Sequence, residues 1–231
     1  EPEELKYERL RKWRIELEKA LYSTSDYHLF NKLASIIKQF NIPIDPFFEL
    51  IAGMEMDLQH KRYRSFEELV QYCYRVASTV GLMCIEIFGY KNKSAKDYAV
   101  NLGLAMQLTN ILRDVKKDSE KGRIYLPQND LVKFQYSEQD IFEKRYDANF
   151  ISLMKFESDR AKDFFTKADQ ALDFEDKPSL FPARAMQHIY QRLLTKLEAE
   201  KFDVFNKKIK VGTFEKAAIS VGVWAKYRLV Y

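Results

Sequence analysis

The sequence predicts an all-α protein, a multi-helix bundle around a buried hydrophobic channel or core. Apolar residues recur at steps of three and four along most of the 231 residues, which is helical spacing. No run of residues alternates between polar and apolar as a half-buried strand does. The chain has only seven glycines and six prolines, and no linker rich in either. We therefore expect a single helical domain over residues 1–231.

Four helices are expected in the first part of the chain. The third begins at Asp45-Pro46, which suits a helix cap followed by proline at the first helical position. The fourth begins at Ser65-Phe-Glu-Glu68, which is typical of a capping box. The predicted bounds of the four helices are about 3–22, 26–40, 45–58 and 65–87.

The fourth predicted helix is apolar nearly all round, and such a helix is normally buried. Ala77, Ser78 and Gly81 on this helix are small. They leave room beside its backbone for a ligand or, equally well, for a neighbouring helix.

The second part of the chain continues the helical pattern. A long helix is expected from a cap at Ser94 to about Ser119, followed by an extended exit from Gly122 to Pro127. Ser137 again resembles a cap. Later helices are expected at about 149–174 and 183–201, with a last short helix that ends at Tyr231.

Composition excludes several classes of protein. The formal net charge of +4, from 38 basic and 34 acidic residues, does not suggest a nucleic-acid binder, but it tolerates an anionic small substrate or an anionic membrane surface. No run of about 18 uncharged apolar residues exists, so no membrane-spanning helix is expected. Cys73 and Cys84 are expected to be buried free thiols. These features favour a cytoplasmic protein with at most a peripheral membrane contact, and they leave the oligomeric state open.

A polar stripe on the long helix is the main candidate for chemistry. Gln107, Asn110, Asp114 and Asp118 follow one another at steps of three, four and four, so they span roughly 80° of a helix. All four offer oxygen atoms, which Mg²⁺ prefers, and basic residues interleave with them as an anionic co-ligand requires. The alternative is a solvated helix face with ordinary ion pairs.

Three segments together resemble the squalene/phytoene synthase family. The second aspartate-rich motif of that family resembles Gln107-Leu-Thr-Asn-Ile-Leu-Arg-Asp-Val-Lys-Lys-Asp118 followed by Gly122-Arg-Ile-Tyr-Leu-Pro127. Its other signature resembles Tyr72-Cys-Tyr-Arg-Val-Ala-Ser-Thr-Val-Gly81. Bacterial members are similar at Gly53-Met-Glu-Met-Asp-Leu58 and the residues just after it. The resemblance runs over nearly the whole chain.

This resemblance implies an isoprenoid-synthase fold and a prenyltransferase that joins two prenyl diphosphates head to head through a cyclopropyl diphosphate. It implies that Asp114, Asp118 and Asn110 bind Mg²⁺, or Mn²⁺ in its place, and that Tyr72 is an active-site tyrosine. Lys207 or Lys208 matches a later position near the site. The residues expected to bind the substrate are Gln107, Asn110, Arg113, Arg123, Tyr125, Val76, Gly81, Ala99, Leu102, Met106 and Tyr190. No glycine-rich dinucleotide fingerprint is present, so the sequence does not support NADPH-dependent reduction.

One departure from the family pattern concerns its first aspartate-rich motif, which does not occur in these residues. Glu55 and Asp57 do not replace it, because they match a separate family segment. Either the N-terminal helices that carry the motif are missing from the sequence, or the chain is a degenerate member. The intact second motif favours the first interpretation. Within these residues the metal site is half built.

Three functions remain open at this stage. Met54-Glu-Met-Asp57 and the segment from Gly81 to Gly89 favour the bacterial hopanoid-pathway enzyme, which joins two farnesyl diphosphates. The alternative is a phytoene synthase, which uses geranylgeranyl diphosphate. A non-catalytic scaffold protein with this fold is the alternative from another class. Chain-length preference depends on the depth of the channel, which the sequence does not show.

Overall fold

The fold is all-α, as predicted. The computed structural model describes residues 2–59 and 61–229, and within these ranges it contains no strand. Eleven α-helices, one π turn and one 3₁₀ turn follow one another along this part of the chain. They are α1 (Glu3–Tyr22), α2 (His28–Phe40), α3 (Asp45–Gln59), α4 (Phe66–Cys73), the π turn (Tyr74–Ser78), α5 (Thr79–Phe88), α6 (Ala95–Ser119), α7 (Gln128–Lys133), α8 (Glu138–Phe142), α9 (Ala148–Ala171), the 3₁₀ turn (Phe174–Asp176), α10 (Phe181–Ala199) and α11 (Thr213–Leu229).

The main core surrounds α6. Leu108, Ile111, Leu112 and Val115, the apolar residues between the polar positions of α6, are all buried. The most extensive helix contact of α6 is with α9, which buries a further set of large side chains against it. A 25-residue helix held along one side in this way is a rigid support for the polar groups at its C-terminal end.

The first three helices form a smaller core of their own. Leu17, Ile37, Ile42 and Ile51 are buried there. Trp13 of α1 stands at helical spacing from Leu10 and Leu17, yet it is exposed, and the buried residues of α1 all lie in its second half. The amphipathic pattern therefore predicts the helix but not how far its partners cover it.

The fourth predicted helix is interrupted by the π turn between α4 and α5. Ser65 caps α4 by accepting a hydrogen bond from the Glu68 backbone N–H, as predicted. In a full capping box the Glu68 carboxylate would accept from the Ser65 backbone N–H. Here it accepts instead from the backbone N–H of Arg64 at 2.7 Å. At the other end of the π turn, the Ser78 hydroxyl donates to the Val100 carbonyl of α6 at 2.8 Å.

The prediction that this apolar helix is buried on every side is wrong. Val80 is 40% exposed, and Ile87 and Phe88 are exposed as well. Val80 and Phe88 line a groove between α5, α6 and α10 that stays open in the described part of the chain. Hydrophobicity on every face therefore reflects a cavity wall as well as packing against neighbouring helices.

The remaining bounds differ from the predictions by a few residues. Ser94 precedes α6, but its side chain makes no capping hydrogen bond. Helix α11 is longer than expected, and its predicted end at Tyr231 lies outside the described residues. Among the helices described, none is both long and apolar enough to cross a membrane.

Candidate functional site

Helix α6 carries apolar and polar groups along one continuous stripe. Its first half contributes Ala99 and Met106 to the groove, and Asn110 and Asp114 follow one and two turns later. At 100° per residue these four positions lie within about 80° of one another. The fold therefore places oxygen ligands directly beyond the end of an apolar groove.

The polar stripe is tied together by short-range contacts. The Arg113 Nε donates to Asp114 Oδ1 at 2.9 Å, and a second guanidinium nitrogen contacts the other carboxylate oxygen. The Asn110 amide donates to Gln107 Oε1 at 3.4 Å. The Asn110 Oδ1 is buried and has no partner within the described residues. An oxygen in that position is ready to accept a ligand.

Asp118 sits in an environment that disfavours its charge. Its pKa is raised to about 6, first by burial and then by the neighbouring carboxylate of Asp114, while Lys121 and Arg123 act in the opposite direction. Both aspartates also lie near the C-terminal end of α6, where the helix dipole disfavours anions. Burial and the neighbouring carboxylate therefore outweigh the nearby cations Lys121 and Arg123 at this position.

The chain after α6 returns over α3. Gly122 has a φ of +74°, a left-handed conformation that glycine adopts without strain, and the Arg123 N–H donates to the Asp118 carbonyl at 3.0 Å. Further along, the Ile124 N–H donates to the Lys61 carbonyl at 3.1 Å. These backbone bonds hold Arg123 and Tyr125 beside the end of α3.

Three tyrosines stack next to this exit segment. The ring centroids of Tyr72 and Tyr125 are 5.2 Å apart, and Tyr63 lies 5.3 Å and 5.8 Å from them. The Tyr72 hydroxyl donates to the Tyr125 hydroxyl at 3.5 Å. Burial is the main cause that raises the pKa of both Tyr72 and Tyr125 above the usual value, so both phenols stay protonated at neutral pH.

Asp57 joins the tyrosines to Arg123, and sequence reasoning missed it. The Tyr125 hydroxyl donates to Asp57 Oδ1 at 2.7 Å, and Arg123 Nη2 donates to the Asp57 backbone carbonyl at 2.9 Å. Asp57 also contributes to the raised pKa of Asp118. The segment Gly53 to Leu58, in which two carboxylates alternate with apolar residues, was the available signal, but it served only to classify the chain.

The apolar groove has a volume of about 360 Å³. Its wall contains the five apolar or small residues that the resemblance assigned to substrate binding, namely Val76, Gly81, Ala99, Leu102 and Met106. A Cβ atom on Gly81 would lie 3.0 Å from the Ala99 carbonyl oxygen, so a glycine there lets α5 and α6 approach closely. Met186 of α10 lines the groove as well, and the sequence did not single it out.

Two further predicted positions behave differently from each other. Tyr190 of α10 is partly buried and contributes to the raised pKa of Arg113, whose main cause is the hydrogen bond to Asp114. Tyr190 therefore lies close to the polar stripe. Lys207 instead donates to Glu200 at 2.5 Å, and the structure does not bring it to the aspartates.

A hard cation would find part of its ligand set here. No cluster of three or more His, Cys, Asp or Glu side chains suited to a metal occurs in ranges 2–59 and 61–229. Asp114, Asp118 and the unpaired Asn110 Oδ1 nevertheless supply oxygen ligands on one face of α6. Mg²⁺ usually takes one or two carboxylates together with phosphate oxygens and water, so these residues fit a Mg²⁺–diphosphate pair.

Comparison with known sequences agrees with the resemblance. A family model described as squalene/phytoene synthase matches residues 1–215. The chain is 39% identical over 210 residues to a 15-cis-phytoene synthase of Synechocystis sp., covering 86% of this chain and 62% of that protein. It is 37% identical over 216 residues to a 15-cis-phytoene synthase of Synechococcus elongatus, covering 88% of this chain and 70% of that protein. The chain thus spans less than two thirds of the length of the first of these relatives.

Comparison with solved structures supports the fold. A dehydrosqualene synthase in complex with ligand superposes with a TM-score of 0.82 at 26% identity, covering 96% of this chain and 78% of that one. Squalene synthase HpnC from Alicyclobacillus acidocaldarius superposes with a TM-score of 0.75 at 25% identity, covering 84% of this chain and 73% of that one.

Proposed function

Because the chain belongs to the squalene/phytoene synthase family, we propose that it joins two prenyl diphosphates head to head with release of diphosphate. One observation carries the proposal. On α6 an apolar groove of about 360 Å³ is followed, on the same face, by Asn110 and Asp114. A prenyl diphosphate has the same two parts, a long apolar chain and a multiply charged anionic head.

The polar end accounts for binding and departure of diphosphate. Asp114, Asp118 and Asn110 would hold Mg²⁺, and when bound this ion neutralises the charge that develops on the leaving diphosphate. Arg113 and Arg123 supply fixed guanidinium groups beside the same position. Guanidinium donors suit diphosphate oxygens, and they need no reorganisation as the bond breaks.

The apolar end accounts for the fate of the allylic cation. Ionisation leaves a carbocation that water would quench, so the groove must exclude water. The stacked rings of Tyr72 and Tyr125 present π electrons that can stabilise a cation. Their buried hydroxyls remain protonated, and the Tyr72 hydroxyl is a donor with a defined partner.

The substrate we propose is geranylgeranyl diphosphate, with a phytoene-type product. The support is that the curated relatives at 35–39% identity carry the name phytoene synthase. The interpretation as a hopanoid-pathway enzyme is less well supported, since HpnC resembles this chain at 25% identity. Farnesyl diphosphate is therefore the second candidate substrate.

Turnover of the full-length natural protein tests this proposal. We expect diphosphate release with Mg²⁺ and geranylgeranyl diphosphate, a hydrocarbon product from two substrate molecules, and slower release with farnesyl diphosphate. Faster release with farnesyl diphosphate would restore the hopanoid-type interpretation. Absence of release with both substrates would contradict the enzyme proposal and favour a non-catalytic scaffold.

A peripheral membrane contact is the remaining part of the proposal. Phe214 of α11 is 94% exposed, and Val221 and Trp224 of the same helix are exposed as well. Lys216 and Lys226 are exposed on this helix too, and apolar side chains with basic neighbours suit an anionic lipid surface.

A flotation assay with anionic liposomes tests this contact. The wild-type protein should float with the liposomes, and a smaller fraction of a Phe214→Ser/Val221→Ser variant should do so. A Val132→Ser variant, which changes an exposed valine on α7, should float like the wild type.

A further inference from the structure

Asp57 occupies a junction between three parts of the site. It lies in the last turn of α3, its carboxylate accepts from Tyr125, and its backbone carbonyl accepts from Arg123. Tyr125 in turn accepts from Tyr72. We propose that Asp57 is a positioning residue for the reaction, which orients Tyr72 through Tyr125 and holds Arg123 at the diphosphate end. The inference rests on the proposed function.

The hydrogen bond between Tyr125 and Asp57 is the stronger of the two hydrogen bonds that connect Tyr72 with Asp57. Its length of 2.7 Å and its charged acceptor make it the kind of hydrogen bond that is worth about twice a neutral one. A phenol has one proton to donate, so this bond commits the Tyr125 proton to Asp57. The oxygen of Tyr125 is then left to accept, and Tyr72 donates to it.

The hydrogen bond between Tyr72 and Tyr125 is the weaker of the two. At 3.5 Å it is longer than the usual O–H···O hydrogen bond of 2.5 to about 3.0 Å. Ring stacking alone would hold the two phenols side by side, but it does not decide where their hydroxyl protons point. That direction depends on Asp57, which gives the tyrosine pair a single acceptor at its far end.

Arg123 is held by the same residue in a different way. Its Nη2 donates to the Asp57 carbonyl, while its Nη1 lies 3.8 Å from Asp57 Oδ2. A guanidinium has five N–H donors, and these contacts engage it from the α3 side. Arg123 also stabilises the charge of Asp118. Its remaining donors can therefore bind an anion at that position. Asp57 thus links the tyrosines and the diphosphate end to one helix.

Substitution of Asp57 separates this role from ordinary packing. In Asp57→Asn the remaining oxygen can accept from Tyr125 without charge, so we expect kcat to fall by about tenfold with an unchanged melting temperature. In Asp57→Ala no acceptor remains, and we expect a fall of about a hundredfold. Glu55→Gln is the matched control, because Glu55 lies on the same helix and faces Arg14 at 4.0 Å. It should keep the wild-type kcat and KM.

A double-mutant cycle tests whether Asp57 acts through Tyr125. Once Tyr125→Phe has removed the hydroxyl, Asp57→Asn should lower kcat by less than about threefold further, because the two changes break the same contact. Asp57→Asn also removes the carboxylate that lies 3.8 Å from Arg123 Nη1, so any change that it causes in KM should persist in the Tyr125→Phe background. A purely structural role would lower the melting temperature and leave this pattern absent.

The outcomes distinguish the two proposals. If the wild-type protein releases no diphosphate from either substrate, the proposed function is wrong and the role of Asp57 falls with it. If the wild type is active and Asp57→Asn retains its kcat and KM, the role of Asp57 alone is overturned. Fully additive losses of kcat in the cycle would overturn it as well, because Asp57 and Tyr125 would then act independently.

Discussion

At the scale of single residues, burial decides the protonation of carboxyl groups in two unrelated places. Asp118 has a pKa raised to about 6, and it lies beside Asp114 at the candidate diphosphate site. Glu157 on α9 is 2% exposed and has a pKa raised to about 8, again chiefly by burial. Asp118 shares a helix face with the unpaired Asn110 Oδ1, whereas Glu157 is enclosed in a cluster with Arg160 and Asp130. A raised pKa therefore points to function only where the geometry leaves room for a ligand.

Asp114→Asn should abolish most turnover without unfolding the protein. The substitution keeps the shape of the side chain and removes the charge that holds Arg113 and that, in our proposal, would bind Mg²⁺. We expect kcat to fall by at least about a hundredfold, measured as diphosphate release. Asp97→Asn, in the exposed first turn of the same helix, should retain activity. Full activity of Asp114→Asn would disprove the metal assignment.

Glu157 should make stability decrease as the pH rises. Its pKa is higher in the folded state than the ordinary value of 4.5, so the folded protein keeps a proton that the unfolded chain releases. The stabilisation is present in full below about pH 4.5 and is lost as the pH rises through about 8.

Urea unfolding at several pH values between 5 and 8.5 measures this effect. In Glu157→Gln the side chain stays neutral, so the free energy of unfolding should fall less with pH than in the wild type, by about 1 kcal/mol or more. Glu18→Gln, which changes an exposed glutamate of α1, should follow the wild-type profile. Parallel profiles for all three proteins would show that Glu157 is not the titrating group.

At the scale of helices, the close approach of the π turn to α6 builds the groove. A Cβ atom on Gly103 would lie 2.5 Å from the Ser78 Cα, a distance that real Cβ atoms do not reach. Gly81 makes a similar but looser approach from α5 to the backbone of α6. Small residues thus set the spacing between these elements, and side chains farther along them form the groove wall.

Gly103→Ala should destabilise the protein through this contact. The new methyl group would push the π turn away from α6, and we expect a cost of about 2 kcal/mol or more in the free energy of unfolding. Gly222→Ala is the control, because a Cβ there meets no atom within 4 Å. That substitution should be neutral or stabilise α11 by about 0.5 kcal/mol. Equal effects of the two substitutions would contradict the close-approach argument.

At the scale of the whole molecule, α5, α6 and α10 enclose the apolar part of the site, while α3 and the segment after α6 provide the polar part. The two parts meet along α6. Substrate length should therefore depend on the groove, and reactivity on the aspartates and tyrosines. A substitution in the apolar part can therefore be chosen so that the new side chain does not contact the polar part.

Cys84→Phe should shift the preference towards the shorter substrate. Cys84 lines the groove and is partly buried, so a phenyl ring at this position would occupy part of its volume of about 360 Å³. We expect kcat/KM for geranylgeranyl diphosphate to fall by about tenfold relative to farnesyl diphosphate, which is one isoprene unit shorter. Competition between the two substrates measures the ratio. Cys84→Ala should leave this ratio unchanged. An unchanged ratio in Cys84→Phe would show that the prenyl chain of the substrate does not lie in this groove.

The sequence by itself determined the all-α class, the positions of most helices and the polar stripe on α6. These depend on residues within a turn or two of each other, and helical spacing fixes their relative directions. The resemblance also named the five groove residues Val76, Gly81, Ala99, Leu102 and Met106, which the structure gathers into one wall.

Only the tertiary structure decided which residues complete the site. Tyr125 and Asp57 are 68 positions apart, and no local pattern indicates that they share a hydrogen bond. The open side of α5 and the π turn likewise depend on how α4 to α6 pack. Local periodicity specifies which face of a helix is apolar, but the partner of that face, another helix or an empty groove, depends on distant segments that the folded chain brings together.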